Sequence, residues 1–291
     1  LRYDIMSSQA VLDIYIQIGA VFTWASFSYP TVKKIIYLVD QADIKLKSRP
    51  LMSLNMAKSM FNANTGNWHH YPDFDEVFDK GMRIGELWLV TIYALHVGLQ
   101  QIEKGNYAGT IKIAERIKDL GNSFENSHAI AQSYRLRVVY GMKFRKFEGL
   151  QELIDKSTLY IQDTDHKTHL FILYLVQIQL FLHTGHIKEA KKVFTEVEKF
   201  LEKNKGIATF YTHFLIVKIQ LNLELLETSE KKGENNKKVI RELLKTSNKL
   251  ISKSKKFIIN LTEAYLLKSR IFIYRQRFKK AYEYLQLAIS T

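Results

Sequence analysis

The stretch Glu103-Lys104-Gly105-Asn106-Tyr107-Ala108-Gly109-Thr110 lies between two amphipathic runs. Two glycines in eight residues fit a phosphate-cradling loop, a catalytic loop or a plain turn. A dinucleotide loop needs three spaced glycines after a strand, and a nucleoside-triphosphate loop ends in Gly-Lys-Ser/Thr. The chain contains neither. A turn is the remaining reading, because glycine closes a helix at little steric cost. Gly105 then ends one helix, and Tyr107 is expected to be a buried wedge between two.

The turn has relatives. Thr65-Gly66-Asn67-Trp68, Lys104-Gly105-Asn106-Tyr107, Phe144-Arg145-Lys146-Phe147, Thr184-Gly185-His186-Ile187 and Arg275-Gln276-Arg277-Phe278 all end on a bulky residue. The first four end at 68, 107, 147 and 187, a period near 40. An amphipathic run precedes each, such as Phe171–Thr184. A second run follows, in which Ala190, Val193, Phe194 and Val197 share one helical face. The unit is helix, turn, helix. One unit cannot bury its apolar face alone, so neighbours must stack into a solenoid. The three prolines are Pro30, Pro50 and Pro72, which leaves the rest of the chain free for long helices. The polar run Thr228–Lys238 interrupts the pattern and is expected to be a mobile surface loop.

These residues resemble the tetratricopeptide repeat family. Ala94, Gly98, Gly105, Tyr107 and Thr110 fall on its pattern in one unit. Tyr174, Ile178, Phe181, Gly185, Ile187 and Ala190 do so in another, and Tyr265, Ser269, Phe272, Phe278 and Ala281 in the last. Near the start, Tyr15, Gly19 and Phe22 fit the first helix of a unit. The 40-residue period exceeds the family's 34, and its late proline is missing, as in the divergent repeats of large bacterial regulators. The resemblance implies an all-α, right-handed α-solenoid of about seven hairpins, one domain over 1–291. It implies a non-catalytic segment of a larger regulatory protein that binds a protein, a peptide or a flanking domain of its own chain. A sensor closing on a peptide or small ligand, or a nucleic-acid-associated repeat, are the alternatives. The chain begins at Leu1 and ends without a polar capping helix, so more repeats are expected beyond it.

In the family the first helix of each unit lines a concave groove. Carried over, the partner-binding candidates are Leu95, Leu99, Gln132, Arg135, Lys143, Gln179, His183, Arg270 and Tyr274, with Leu266 and Ile273 beside them. The Lys/Asn set that clamps a chaperone's terminal carboxylate is missing.

Net charge is +14, concentrated between Lys231 and Lys256, where ten Lys/Arg face two Glu. Lys237, Lys238, Arg241, Lys245, Lys249 and Lys253 form a basic patch suited to nucleic-acid phosphates or an acidic protein. Their alternation with Val239, Ile240, Leu243, Leu244 and Leu250 equally describes a solvated helix face. Aromatics for base stacking are absent except Phe257.

Asp73, Asp75, Glu76 and Asp79 fit acid–base work less well than the opening of a helix, where carboxylates are favoured. His69-His70, His166 with His169, and His183 with His186 are the close histidine pairs, without a third ligand at helical spacing. No enzyme, cofactor or metal is expected. The chain has no cysteine, which excludes disulfides and suits the cytoplasm, and no apolar run long enough to span a membrane.

Overall fold

In the computed structural model the described residues are 16, 29–41, 46–68, 73–162, 167–203, 208–228, 234–255 and 258–291. Among them are thirteen α-helices and no strand. The chain divides into two compact units, Leu1–Lys167 and Thr168–Thr291.

The first unit contains α1 (Tyr29–Gln41), α2 (Ser48–Thr65), α3 (Phe74–Arg83), α4 (Leu87–Glu103), α5 (Tyr107–Ser123), α6 (Ser127–Lys143) and α7 (Leu150–Gln162). Each packs on the next along α1–α2–α3–α4–α5–α6–α7, and α4 also touches α2 and α6. The second unit contains α8 (Lys167–His183), α9 (Ile187–Lys203), α10 (Ala208–Glu227), α11 (Glu234–Ser254), α12 (Ile258–Tyr274) and α13 (Phe278–Ile289). Phe171 and Phe200 stack at 5.4 Å between α8 and α9, and Phe194 and Phe214 at 5.4 Å between α9 and α10. Helix α10 packs on α11 and α12, α11 on α12, and α12 on α13. Contact with the second neighbour as well as the first is the mark of stacked helical hairpins, in which the even-numbered helices of each unit form a row of their own.

One turn recurs. After α4, Asn106 N–H donates to Gln101 O at 2.8 Å and Gly105 N–H to Ile102 O at 3.0 Å. The same pair of bonds closes α6 through Lys146 and Arg145, α8 through His186 and Gly185, and α12 through Arg277 and Gln276. The middle residue is left-handed at Gly85, Gly105, Glu125, Arg145, Gly185 and Gln276, with φ between 51° and 80°. This is a helix-closing motif that satisfies the last carbonyls of one helix before the next begins. Asn106 then caps α5 by accepting from Gly109 N–H at 3.0 Å, and Asn126 caps α6 by accepting from Ala129 N–H at 2.9 Å. The repeat visible at 40 residues therefore has a structural step of half that length: α4, α5 and α6 are 17 residues each, separated by three.

Small residues set the helix spacing. A Cβ at Gly98 would overlap Leu136 Cδ2 and lie 3.3 Å from Ile113 Cγ2. Ala94, Ala114, Thr110 and Ala190 are fully buried. The bulky residue closing each turn behaves otherwise. Tyr107 is 48% exposed and Phe278 65%. A helix side chain tilts towards the N-terminus, so the first residue projects past the helix end, where only the neighbouring turn covers it. Tyr107 meets Tyr140 at 4.7 Å and the Lys146 ammonium at 4.4 Å on one side. The expected buried wedge is thus a half-covered lid.

Glu234–Lys238, expected in the surface loop, form the opening of α11. Straight-chain Glu and Lys are good helix formers, and a carboxylate suits the first turn. Residues 229–233 of that loop lie outside the described residues, as do Tyr15, Gly19, Phe22, His69, His70 and His166.

A Cβ at Gly105 would meet nothing within 4 Å, so alanine there costs only conformational energy. Gly105→Ala should lower stability by about 1 kcal/mol, and Arg145→Gly or Gln276→Gly should raise it by about as much. Urea midpoints at unchanged slope measure both. Tyr107→Ala should cost about 1 kcal/mol, the scale of an exposed aromatic pair, not the ~3–5 kcal/mol of a buried ring.

Candidate functional site

Within each unit the even-numbered helices are tied together by polar side chains. Gln100 Nε2 on α4 donates to Ser59 O on α2 at 2.9 Å. Lys143 Nζ on α6 donates to Glu103 Oε1 and Oε2 on α4 at 3.1 and 2.9 Å. In the second unit Gln179 Nε2 on α8 donates to Gln220 Oε1 on α10 at 3.1 Å. Gln220 Nε2 in turn donates to Glu263 Oε1 on α12 at 3.1 Å. Arg270 on α12 places Nη2 2.6 Å from both Glu224 Oε1 and Glu227 Oε2 on α10, with Nε 3.1 Å from Glu227 Oε1. Partners stand one repeat apart because the stacking brings equivalent positions of alternate helices level.

The candidate partner-binding residues separate into three groups. Leu95 is 1% exposed and Gln132 is fully buried, so these two are interior, while partly buried Leu99 packs against the core that holds Leu95. Lys143, Gln179 and Arg270 lie on the rows and are bonded along them. His183 is exposed, Tyr274 and Arg135 are partly buried, and Leu266 and Ile273 are 40% and 46% exposed. Gln220, Glu224, Glu227 and Glu263 complete the ladder. Their signal in the sequence is a complementary polar residue one period away, as with Glu103 and Lys143.

Lys237, Lys238, Arg241, Lys245, Lys249 and Lys253 are all exposed on α11. Lys237, Arg241, Lys245, Lys249 and Lys253 follow one i, i+4 row, about 24 Å long. Lys249 donates to Tyr211 Oη at 2.8 Å and sits 4.8 Å above its ring. Among the described residues the other four make no ion pair. The second unit holds 23 Lys/Arg against 11 Asp/Glu, which is +12 of the chain's +14.

The acidic cluster is occupied. Asp73 caps α3 by accepting from Glu76 N–H at 3.1 Å. Asp75 accepts from Lys112 at 2.7 Å and Arg116 at 3.1 Å, and Asp79 from Arg116 at 2.5 Å. These bonds tie α3 to α5. His169 is buried, while His186 Nδ1 pairs with Thr184 Oγ1 at 2.9 Å. Among the described residues no group of three His, Asp or Glu is placed to hold a metal, and no helix is long and apolar enough to cross a membrane.

Two ionisable groups on α4 and α6 are strongly perturbed. Burial pulls His96 down to about 4, helped by nearby Arg135 and opposed by its bond to Ile92 O. Since a carbonyl only accepts, the 2.8 Å contact puts the proton on His96 Nδ1. Burial also lowers Arg135, to about 10. Arg270 shows the opposite outcome: burial pulls it down, but Glu227 and Glu224 raise it above the ordinary arginine value.

No protein-family model matches the chain, and no curated protein is similar to it.

Gln220→Leu should cost about 1–2 kcal/mol, because it removes the hydrogen bonds to Gln179 and Glu263. His96 predicts an acid-side loss. Its folded value lies below the ordinary 6.5, so the unfolded chain takes up the proton first and stability falls as pH drops from about 6.5 to 4. The loss approaches about 3 kcal/mol. His96→Asn should flatten the urea midpoint across that window.

Proposed function

We propose that the chain is a non-catalytic scaffold, an α-solenoid of about seven hairpins of tetratricopeptide type within a regulatory protein. It binds another protein or peptide on the even-numbered helices of a unit. The supporting observation is the mixture on α12, where exposed Leu266 and Ile273 flank the ion-paired Arg270. Apolar contacts beside fixed polar groups suit an amphipathic helix laid across a helical face. A small-molecule pocket is less well supported. The cleft lined by Lys218, Asn222 and Glu242 encloses about 40 Å³, against the ~300–1,000 Å³ of such sites.

The test is a pull-down with this chain as bait, compared with Leu266→Glu/Ile273→Glu. Both residues are exposed, so folding should change by no more than about 0.5 kcal/mol. The reading predicts proteins retained by the native chain and released by the variant at unchanged helicity. A native chain that retains nothing beyond an unrelated helical bait would sink it.

A second reading comes from the α11 row. Like charges four residues apart destabilise a helix by about 0.2–0.5 kcal/mol per pair, and a bound polyanion removes that repulsion. A nucleic acid held there should bind with an affinity that falls steeply with salt. Lys245→Ala/Lys249→Ala should reduce the log–log slope by about 2. Binding that is insensitive to salt removes this reading.

A further inference from the structure

Arginines in contact with neighbouring helices are served by carboxylates in this protein. Arg116 has Asp75 and Asp79, Arg270 has Glu224 and Glu227, and Arg137 has Glu115 at 3.7 Å. Arg135 is the exception. Its Nη1 donates to Gln132 Oε1 at 3.1 Å, a neutral amide. Its Nε is shielded from solvent and donates to nothing; Arg137 Nε is likewise without an acceptor, but that guanidinium has Glu115 beside it. No carboxylate lies within ion-pair distance of Arg135 among the described residues. Gln132 Nε2 lies 3.3 Å from His128 Nε2, and His96 across on α4 is held neutral. Lodging a guanidinium among neutral groups is expensive, since a desolvated charge without its counter-ion costs several kcal/mol.

We propose that Arg135 is the anion-receiving residue of a site on the α4–α6 face, and that its ligand is a carboxylate side chain of an acidic peptide segment. This rests on the reading of the even-numbered helices of a unit as a peptide-binding face. The charge arithmetic selects a carboxylate. Arg135 is a single positive charge, its hydrogen-bond partner Gln132 is a neutral amide and His96 is neutral, so one negative charge balances the guanidinium. A phosphate dianion would leave an uncompensated charge in the same surroundings. The planar fork of a guanidinium also matches a carboxylate's two oxygens.

The experiment separates a residue awaiting a ligand from one that holds the fold. Arg135→Met keeps most of the apolar stem and removes the charge. The proposal predicts a urea midpoint at or above that of the native chain. A fluorescent amphipathic peptide carrying Glu should bind the native chain about tenfold (1.4 kcal/mol) more tightly than its Gln twin. Arg135→Met should erase that difference, acetate should compete where chloride at equal ionic strength does not, and Arg135→Lys should restore it in part. A lower midpoint for Arg135→Met makes the guanidinium structural and overturns the proposal. So does equal binding of the Glu and Gln peptides, or a phosphoserine peptide that outcompetes the Glu peptide. If the bait retains a partner equally with Met at 135, the anion site fails while the scaffold reading stands.

Discussion

Everything in this fold depends on a three-residue turn whose middle residue is left-handed. It stops α4, α5 and α6 after 17 residues each, satisfies the last carbonyls and sends the chain back against the helix just made. In the first unit the turns that follow α3, α4, α5 and α6 have their left-handed residues at 85, 105, 125 and 145, a step of twenty. That constancy places every second helix forty residues on and level with its predecessor. The spacing of Lys143 from Glu103 follows from it. A longer turn would shift the register and leave those groups unpaired, so local backbone geometry fixes tertiary electrostatics.

Glycine is not indispensable to the turn. Glu125, Arg145 and Gln276 hold the same conformation at a steric cost. Their main-chain bonds offset that cost, because a carbonyl left unsatisfied at a buried helix end is worse. This explains why the repeat is faint in the sequence. The turn is defined by hydrogen bonds that any residue supplies, and side-chain identity is constrained only at close approaches such as Gly98 beneath Leu136.

The helical class and the pairing of helices were legible from the 40-residue phase and the apolar faces. Small residues at the contacts, Ala94, Gly98, Thr110 and Ala190, were readable because size alone decides whether two helices meet. Tyr107 was misjudged because bulk at a turn resembles bulk in a core, and only the neighbouring turn shows how much covers it. The half-period step was hidden because alternate turns, such as Ile84-Gly85-Glu86 and Phe124-Glu125-Asn126, share conformation but little sequence. On the candidate face, sequence position located Arg135, Lys143, Gln179 and Arg270. It could not tell which of them the protein satisfies itself, since that depends on residues a repeat away.

That last distinction sharpens what a partner would find. Along the rows, Lys143, Gln179 and Arg270 are engaged, and a ligand competing for them would break bonds it must replace. Leu95 and Gln132 are interior and offer no surface. What is left over is apolar area at Leu266 and Ile273 on the row of one unit, and on the separate row of the other a guanidinium whose Nε has no acceptor. A self-satisfied ladder gives rigidity, and a rigid face loses little entropy when something binds. The unpaired Arg135 stands out because the same ladder shows how the protein treats a guanidinium it means to keep: Arg270 receives two carboxylates from the preceding helix of the row, and Arg135 receives an amide.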